Sequence, residues 1–185
     1  EIIDDQSSVL INLDINENKK TGEVILAGSF NGDTGLGSTF GINDDNIFGL
    51  GDKVNISISA SSESLLFNID YQQYFLSNPN LSNRYKIFNS EDDITSSYGY
   101  KTKKTGFSYS IFYDIDDQKS SSLGIDFTNN QNHSASLPLD EAISDNIGEF
   151  NNFKIFYSFT NDTRNDVFYP NKGSLNRFSL EFSPE

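Results

Sequence analysis

Apolar and polar residues alternate with a period of two along most of this chain. Val54, Ile56, Ile58 and Ala60 alternate with Asn55, Ser57 and Ser59, and after Ser61-Ser62-Glu63-Ser64 the series resumes with Leu65, Phe67, Ile69 and Tyr71. Alternation of this kind marks strands with two unlike faces, so the two runs predict a hairpin. Phe107, Tyr109, Ile111 and Tyr113, then Leu123, Ile125 and Phe127, predict a second hairpin turning near Asp116 to Lys119. Phe153, Ile155, Tyr157 and Phe159, and finally Phe178, Leu180 and Phe182, repeat the pattern to the C-terminus.

Other segments fit more loosely. Glu23 to Phe30 and Gly35 to Asn43 flank the turn-forming cluster Asn31-Gly32-Asp33-Thr34, and Tyr85 to Phe88 predicts a short, weak strand. The polar stretch Asn129 to Phe150 predicts a long surface loop. The total is about nine strands from Glu23 onward with no helix, which makes the fold class all-β, an antiparallel meander. Ahead of them Val9, Ile11, Leu13 and Ile15 alternate until Asn16-Glu17-Asn18-Lys19-Lys20 breaks the pattern, which divides the chain into residues 1–20 and 21–185.

Composition narrows the chemistry. The chain carries 13 Lys+Arg against 27 Asp+Glu, a net charge of −14, which speaks against a nucleic-acid partner because phosphate neutralisation needs clustered cations. Cysteine is absent and His133 is the single histidine, which excludes disulfides and thiolate metal sites and leaves little for acid–base catalysis. No apolar run reaches the ~20 residues of a spanning helix. The lack of any Met, together with Glu1 as first residue, predicts that the chain is a piece of a longer or processed protein.

A soluble sandwich and an outer-membrane barrel both produce alternation. Two features tilt toward the barrel. Tyr98 to Ile115 and Leu65 to Phe75 supply the ~9–11 residues a tilted crossing needs. Phe48, Tyr74, Phe75, Tyr98, Tyr100, Phe150, Phe168 and Tyr169 lie near strand ends, where interfacial girdles form.

The stretch Thr21-Gly22-Glu23-Val24-Ile25-Leu26-Ala27-Gly28-Ser29-Phe30, followed by Gly35 to Gly41 and then Asp45-Asn46-Ile47-Phe48-Gly49-Leu50-Gly51, resembles the start of the barrel in the BamA family of outer-membrane protein assembly factors. The motif Asp162-Thr163-Arg164-Asn165-Asp166, continuing to Pro170 and Gly173, is similar to a later turn of that family. The resemblance implies the N-terminal half of a transmembrane β-barrel, open as a fragment, with residues 1–20 closing the last POTRA domain. It implies location in the bacterial outer membrane, with outer-membrane lipid, client β-barrel proteins and assembly-machinery lipoproteins as partners. It also implies a lateral-gate edge formed by Glu23, Val24, Ile25, Leu26, Ala27 and Gly28, on which client strands are templated without catalysis or a cofactor. Asp45, Asn46, Gly49, Gly51, Asp162, Arg164, Asp166, Pro170 and Gly173 would then hold the periplasmic turns.

The rival readings are a related transporter barrel, either of the translocation and assembly module or of two-partner secretion, a soluble sandwich with binding function, and a lipase built on His133. The carboxylates Asp44-Asp45, Glu91-Asp92-Asp93 and Asp114-Asp116-Asp117 lack calcium-loop spacing and read as solvated turns. Gly32 to Gly37 lacks the Gly-Lys-Ser/Thr ending of a phosphate loop and reads as a turn.

Overall fold

The computed structural model describes residues 11–14, 21–32, 35–95, 99–134 and 147–184. Among these described residues, nine antiparallel strands form one sheet in sequence order. They are β1 (Gly22–Asn31), β2 (Gly35–Ile47), β3 (Asp52–Ala60), β4 (Ser64–Phe75), β5 (Asn78–Ile94), β6 (Tyr100–Asp114), β7 (Lys119–Ser134), β8 (Gly148–Asp162) and β9 (Leu175–Phe182). Each strand pairs only with its sequence neighbours, so β1 and β9 are the two sheet edges.

The register turns the alternating pattern into a continuous surface. One rung runs Val24, Ile42, Ile56, Ile69, Ile87, Phe107, Phe127, Phe153 across eight strands, each residue directly paired with the next. Because the side-chain period is two, all of these project from one face. Among the described residues no hydrophobic side chain is buried, whereas Asp52, Ser82, Ser110 and Ser122 are. This inverts the rule for soluble domains. The dry interior that a sandwich requires is not formed by the described residues, so the face-to-face sandwich reading is corrected to a single curved sheet with an apolar outer face.

The opposite face is concave and polar. Ser122 and Ser158 share a hydrogen bond of 2.8 Å, Gln72 Nε2 donates to Ser82 Oγ at 3.2 Å, and Asn55 Nδ2 donates to Asn43 Oδ1. A hollow of about 700 Å³ over β5–β8 is lined by Arg84, Lys154, Asp126, Ser108 and Phe156, among others. Phe88, Phe112, Phe150 and Phe156 share this face, being in register with or two residues from its polar positions.

Several sequence expectations are revised. Tyr85 to Phe88 belongs to the longest strand, the 17-residue β5. The expected loop Asn129 to Phe150 is shorter at both ends, because Asn129 to Ser134 completes β7 and Gly148 opens β8. β2 extends to Ile47 and takes in Asp45 and Asn46 of the expected periplasmic turn. The girdle assignment also changes: Tyr74, Tyr100 and Phe150 share parity with the concave face, while Phe48, Phe168 and Tyr169 stand exposed in turns. Tyr98 and residues 1–10 and 15–20 lie outside the described residues, as does most of the segment read as a POTRA strand.

Candidate functional site

Glu23 through Gly28 all lie in β1, whose ten residues are exposed throughout. One side of the strand is fully laddered to β2, from Gly22↔Asp44 to Asn31↔Gly35, and the other side has no partner among the described residues. Thr21 Oγ1 donates to Asp44 Oδ1 at 2.6 Å and pins the start of the strand. Val24 and Leu26 project from the apolar face, Leu26 with 83 % of its surface exposed. Glu23, Ile25 and Ala27 project from the concave face, where Ile25 leans over Gly41, its direct partner; a Cβ on that glycine would meet Ile25 Cβ at 3.5 Å. Gly28 has open space where a side chain would be. Such an edge offers alternate N–H and C=O groups to another strand.

The turn between β2 and β3 is held by side-chain acceptors. Asn46 N–H donates to Asp44 Oδ1 at 2.9 Å, Gly49 N–H to the Asn46 carbonyl at 3.0 Å, and Gly51 N–H to Asn46 Oδ1 at 2.6 Å. Gly49 and Gly51 take φ of 72° and 79°, which glycine adopts freely, and Phe48 joins them at 64°. Asp45, expected to hold the turn, instead pairs with Lys53 at 3.5 Å on the surface, and the anchoring acceptor is Asp44.

The turn between β8 and β9 is built more heavily. Arg164 grips Asp162 with two parallel bonds, Nε to Oδ1 at 2.8 Å and Nη2 to Oδ2 at 2.7 Å, a geometry that suits the planar fork. That carboxylate raises the guanidinium's pKa above its ordinary value. Asn165 Oδ1 accepts from Asn171 N–H at 3.1 Å and Lys172 N–H at 2.9 Å, closing the loop. Asp166 Oδ1 accepts from Tyr169 N–H at 2.8 Å and Phe168 N–H at 2.7 Å, and these amides hold its carboxyl below the usual range. Gly173, at φ 88°, lies 2.8 Å by its would-be Cβ from the Arg164 Cα, so a side chain there meets backbone. Pro170 lies within the turn on exposed backbone.

Three features escaped the sequence reading. Asp52, only 1 % exposed, accepts Tyr71 Oη–H at 2.6 Å and Tyr74 N–H at 2.8 Å, so the start of β3 is tied to β4. Tyr71, Tyr85 and Tyr109 form a row of rings on the apolar face, with centroids 6.1 Å and 5.0 Å apart. On the concave face Phe88 and Phe156 lie across Gly106 and Gly124, their direct partners, with lysines above the rings. Interior strand glycines are the signal that announces such a close approach.

His133 sits exposed near the end of β7, paired across the ladder with Lys101. Among the described residues no group of three or more His, Cys, Asp or Glu is placed to hold a metal ion.

Comparison with known proteins agrees with this geometry. The sequence model of the Omp85 superfamily domain matches residues 46–184. Among solved structures, the crystal structure of BamA from Haemophilus ducreyi lacking POTRA domains 1-3 is similar, with a TM-score of 0.63 and 21% identity, over 91% of this chain. This chain spans 35% of that one. No curated protein sequence matches.

Proposed function

Because the chain belongs to the Omp85 superfamily, whose members assemble or transport proteins at the outer membrane, we propose that it is the N-terminal part of an assembly barrel in the bacterial outer membrane and that β1 is its lateral-gate edge. The observation that carries this reading is the position of β1: a ten-residue strand at the end of the sheet, laddered among the described residues on one side only.

The mechanism needs no covalent chemistry. An incoming strand of a client barrel protein leaves water for lipid with its own N–H and C=O groups unmet, a state that costs several kcal/mol per group in hydrocarbon. The free side of β1 supplies those bonds through its main chain, so client sequence matters little. Val24 and Leu26 keep the outer surface greasy at the point of entry, and Ile25 and Ala27 face the interior. Outer-membrane lipid and assembly-machinery lipoproteins complete the set of partners. With Thr21 at the periplasmic end, β1 rises outward, the Ile47–Asp52 and Asp162–Leu175 connections are periplasmic, and the Ser134 end of β7 and the Gly148 end of β8 point outward.

The test is Leu26→Pro in the full-length protein reconstituted in vesicles, with Leu26→Val as control. Proline removes a donor from a main-chain template without removing an apolar contact of comparable size. Client assembly slows markedly in the proline variant and is preserved in the valine variant. Equal rates in both would overturn the edge-template role.

A further inference from the structure

Among the described residues, two neighbouring cations on the concave wall, Lys86 and Lys104, have no carboxylate within ion-pairing distance. Phe88 on β5 lies over Gly106 on β6; a Cβ at position 106 would come 2.6 Å from Phe88 Cε1 and 3.1 Å from the Phe127 carbonyl, so glycine alone lets the ring lie flat there. Lys86 Nζ stands 5.7 Å from the centroid of this ring and Lys104 Nζ stands 5.8 Å from it. Both are within the range at which a ring quadrupole attracts an ammonium. The ring thus keeps two like charges in place around one apolar patch.

Their neighbours are neutralised. Arg84 is gripped by Asp70 at 2.5 Å, and Lys154 is shared by Asp126 at 3.3 Å and Glu181 at 3.6 Å. Among the described residues, Lys86 and Lys104 have no carboxylate within ion-pairing distance, in a chain whose net charge is −14. They border the hollow of about 700 Å³ and an adjoining one of about 560 Å³. A concave, protein-walled site focuses such uncompensated charge onto whatever enters it.

We propose that Lys86, Phe88 and Lys104 form a binding site on the inner wall for an acidic polypeptide segment, one carrying carboxylates on either side of an apolar side chain. The layout selects that chemistry. A single phosphate is held by converging donors, whereas here two separate point charges flank a ring, with Ser90 directly opposite Lys104 to hydrogen-bond the segment, while Ser108, opposite Lys86, donates its hydroxyl to Asp126. The apolar side chain lies on Phe88 while each carboxylate meets one ammonium. The inference rests on the concave face and is independent of the role of β1.

These 185 residues contain no tryptophan, so in the full-length protein, with any tryptophan outside them replaced by phenylalanine, Phe112→Trp on the same wall gives a single fluorescent reporter. The full chain in detergent micelles is titrated with a short acetylated peptide bearing two glutamates around a leucine at alternate positions, with its glutamine counterpart, and with inorganic phosphate. The acidic peptide binds saturably, more weakly as salt rises, and about tenfold or more weakly in Lys86→Gln/Lys104→Gln. Lys86→Arg/Lys104→Arg retains binding, which separates lost charge from lost fold. Equal binding of the glutamine peptide, or unchanged affinity in the glutamine variant, would overturn the site. Displacement by phosphate at matched concentration would overturn the assignment to a polypeptide.

Discussion

Phe67 and Asn89 are direct partners across β4 and β5 and project from the same outer face, yet one is greasy and the other polar. The change is not local. On β1 to β4 this rung reads Leu26, Phe40, Ile58, Phe67, and on β5 to β8 it reads Asn89, Thr105, Asn129, Asn151. A rung perpendicular to the strands crosses a flat membrane obliquely when the strands are tilted, as barrel strands are by roughly 35–45°. The rung therefore leaves the lipid between β4 and β5. Asn89 Nδ2 donates to Thr105 Oγ1 at 2.7 Å and Asn129 Nδ2 to Asn151 Oδ1 at 2.9 Å, so the polar half is knitted to itself.

A charge placed on the two partners separates the zones. Phe67→Lys destabilises the folded sheet in lipid vesicles by about 2 kcal/mol, and Asn89→Lys by less than about 1 kcal/mol, following the depth dependence of charge in barrels. Urea titration in vesicles measures both. Equal costs would mean that the two positions share one environment.

Gly124 is flanked by Ser110 and Phe156, its partners on either side. A Cβ there would lie 2.8 Å from Ser110 Cβ and 2.8 Å from Phe156 Cε1. The ring can swing aside but the serine Cβ cannot. Gly124→Ala costs about 1–3 kcal/mol, as overpacking does, and Phe156→Ala in the same chain recovers only part of it. A neutral effect of the single substitution would contradict the packing described.

Asp52 is an acceptor twice over in a buried position. Asp52→Ala leaves the Tyr74 amide and Tyr71 hydroxyl unanswered and costs about 1–3 kcal/mol. Asp52→Asn keeps one carbonyl oxygen for the amide and costs less. Chemical denaturation of the pair reads the difference, and equal losses would show that burial rather than hydrogen bonding decides.

Asp166 gives the β8–β9 turn a pH dependence with a definite sign. Its carboxyl is held below the ordinary value of ~3.9 by the amides of Tyr169 and Phe168, so its contribution is full above that value and disappears as pH falls through the lower, folded one. Amide exchange at positions 168 and 169 accelerates, after correction for intrinsic rates, only when pH drops below the ordinary carboxylate range. In Asp166→Ala this step is missing. A step that persists in the variant would assign the effect elsewhere.

The strands with a continuous apolar face were legible from alternation alone: β3, β4 and the outer parts of β6 to β9 lie where the pattern puts them. β5 was underread because its outer face mixes Leu81, Tyr85 and Ile87 with Asn83, Asn89, Glu91 and Asp93, while Phe88 projects inward. Asn129 to Ser134 read as loop because both faces of β7 are polar once the strand stands clear of the lipid. Periodicity needs unlike faces, and there the two faces are alike. The edge position of β1 was implied by the resemblance to the BamA family, not by alternation. The burial of Asp52 did not, because its partners are a hydroxyl and an amide 19 and 22 residues away.

The central claim is that one face of this sheet meets acyl chains and the other meets water. With no native cysteine, nitroxide labels at single cysteines introduced at Phe107, Ser108, Tyr109, Ser110 and Ile111 of β6 report it directly in vesicles. Positions 107, 109 and 111 are predicted to collide with dissolved oxygen and to exclude a water-soluble nickel chelate, and positions 108 and 110 to do the reverse. Uniform accessibility along the strand, or alternation in the opposite phase, would contradict the account.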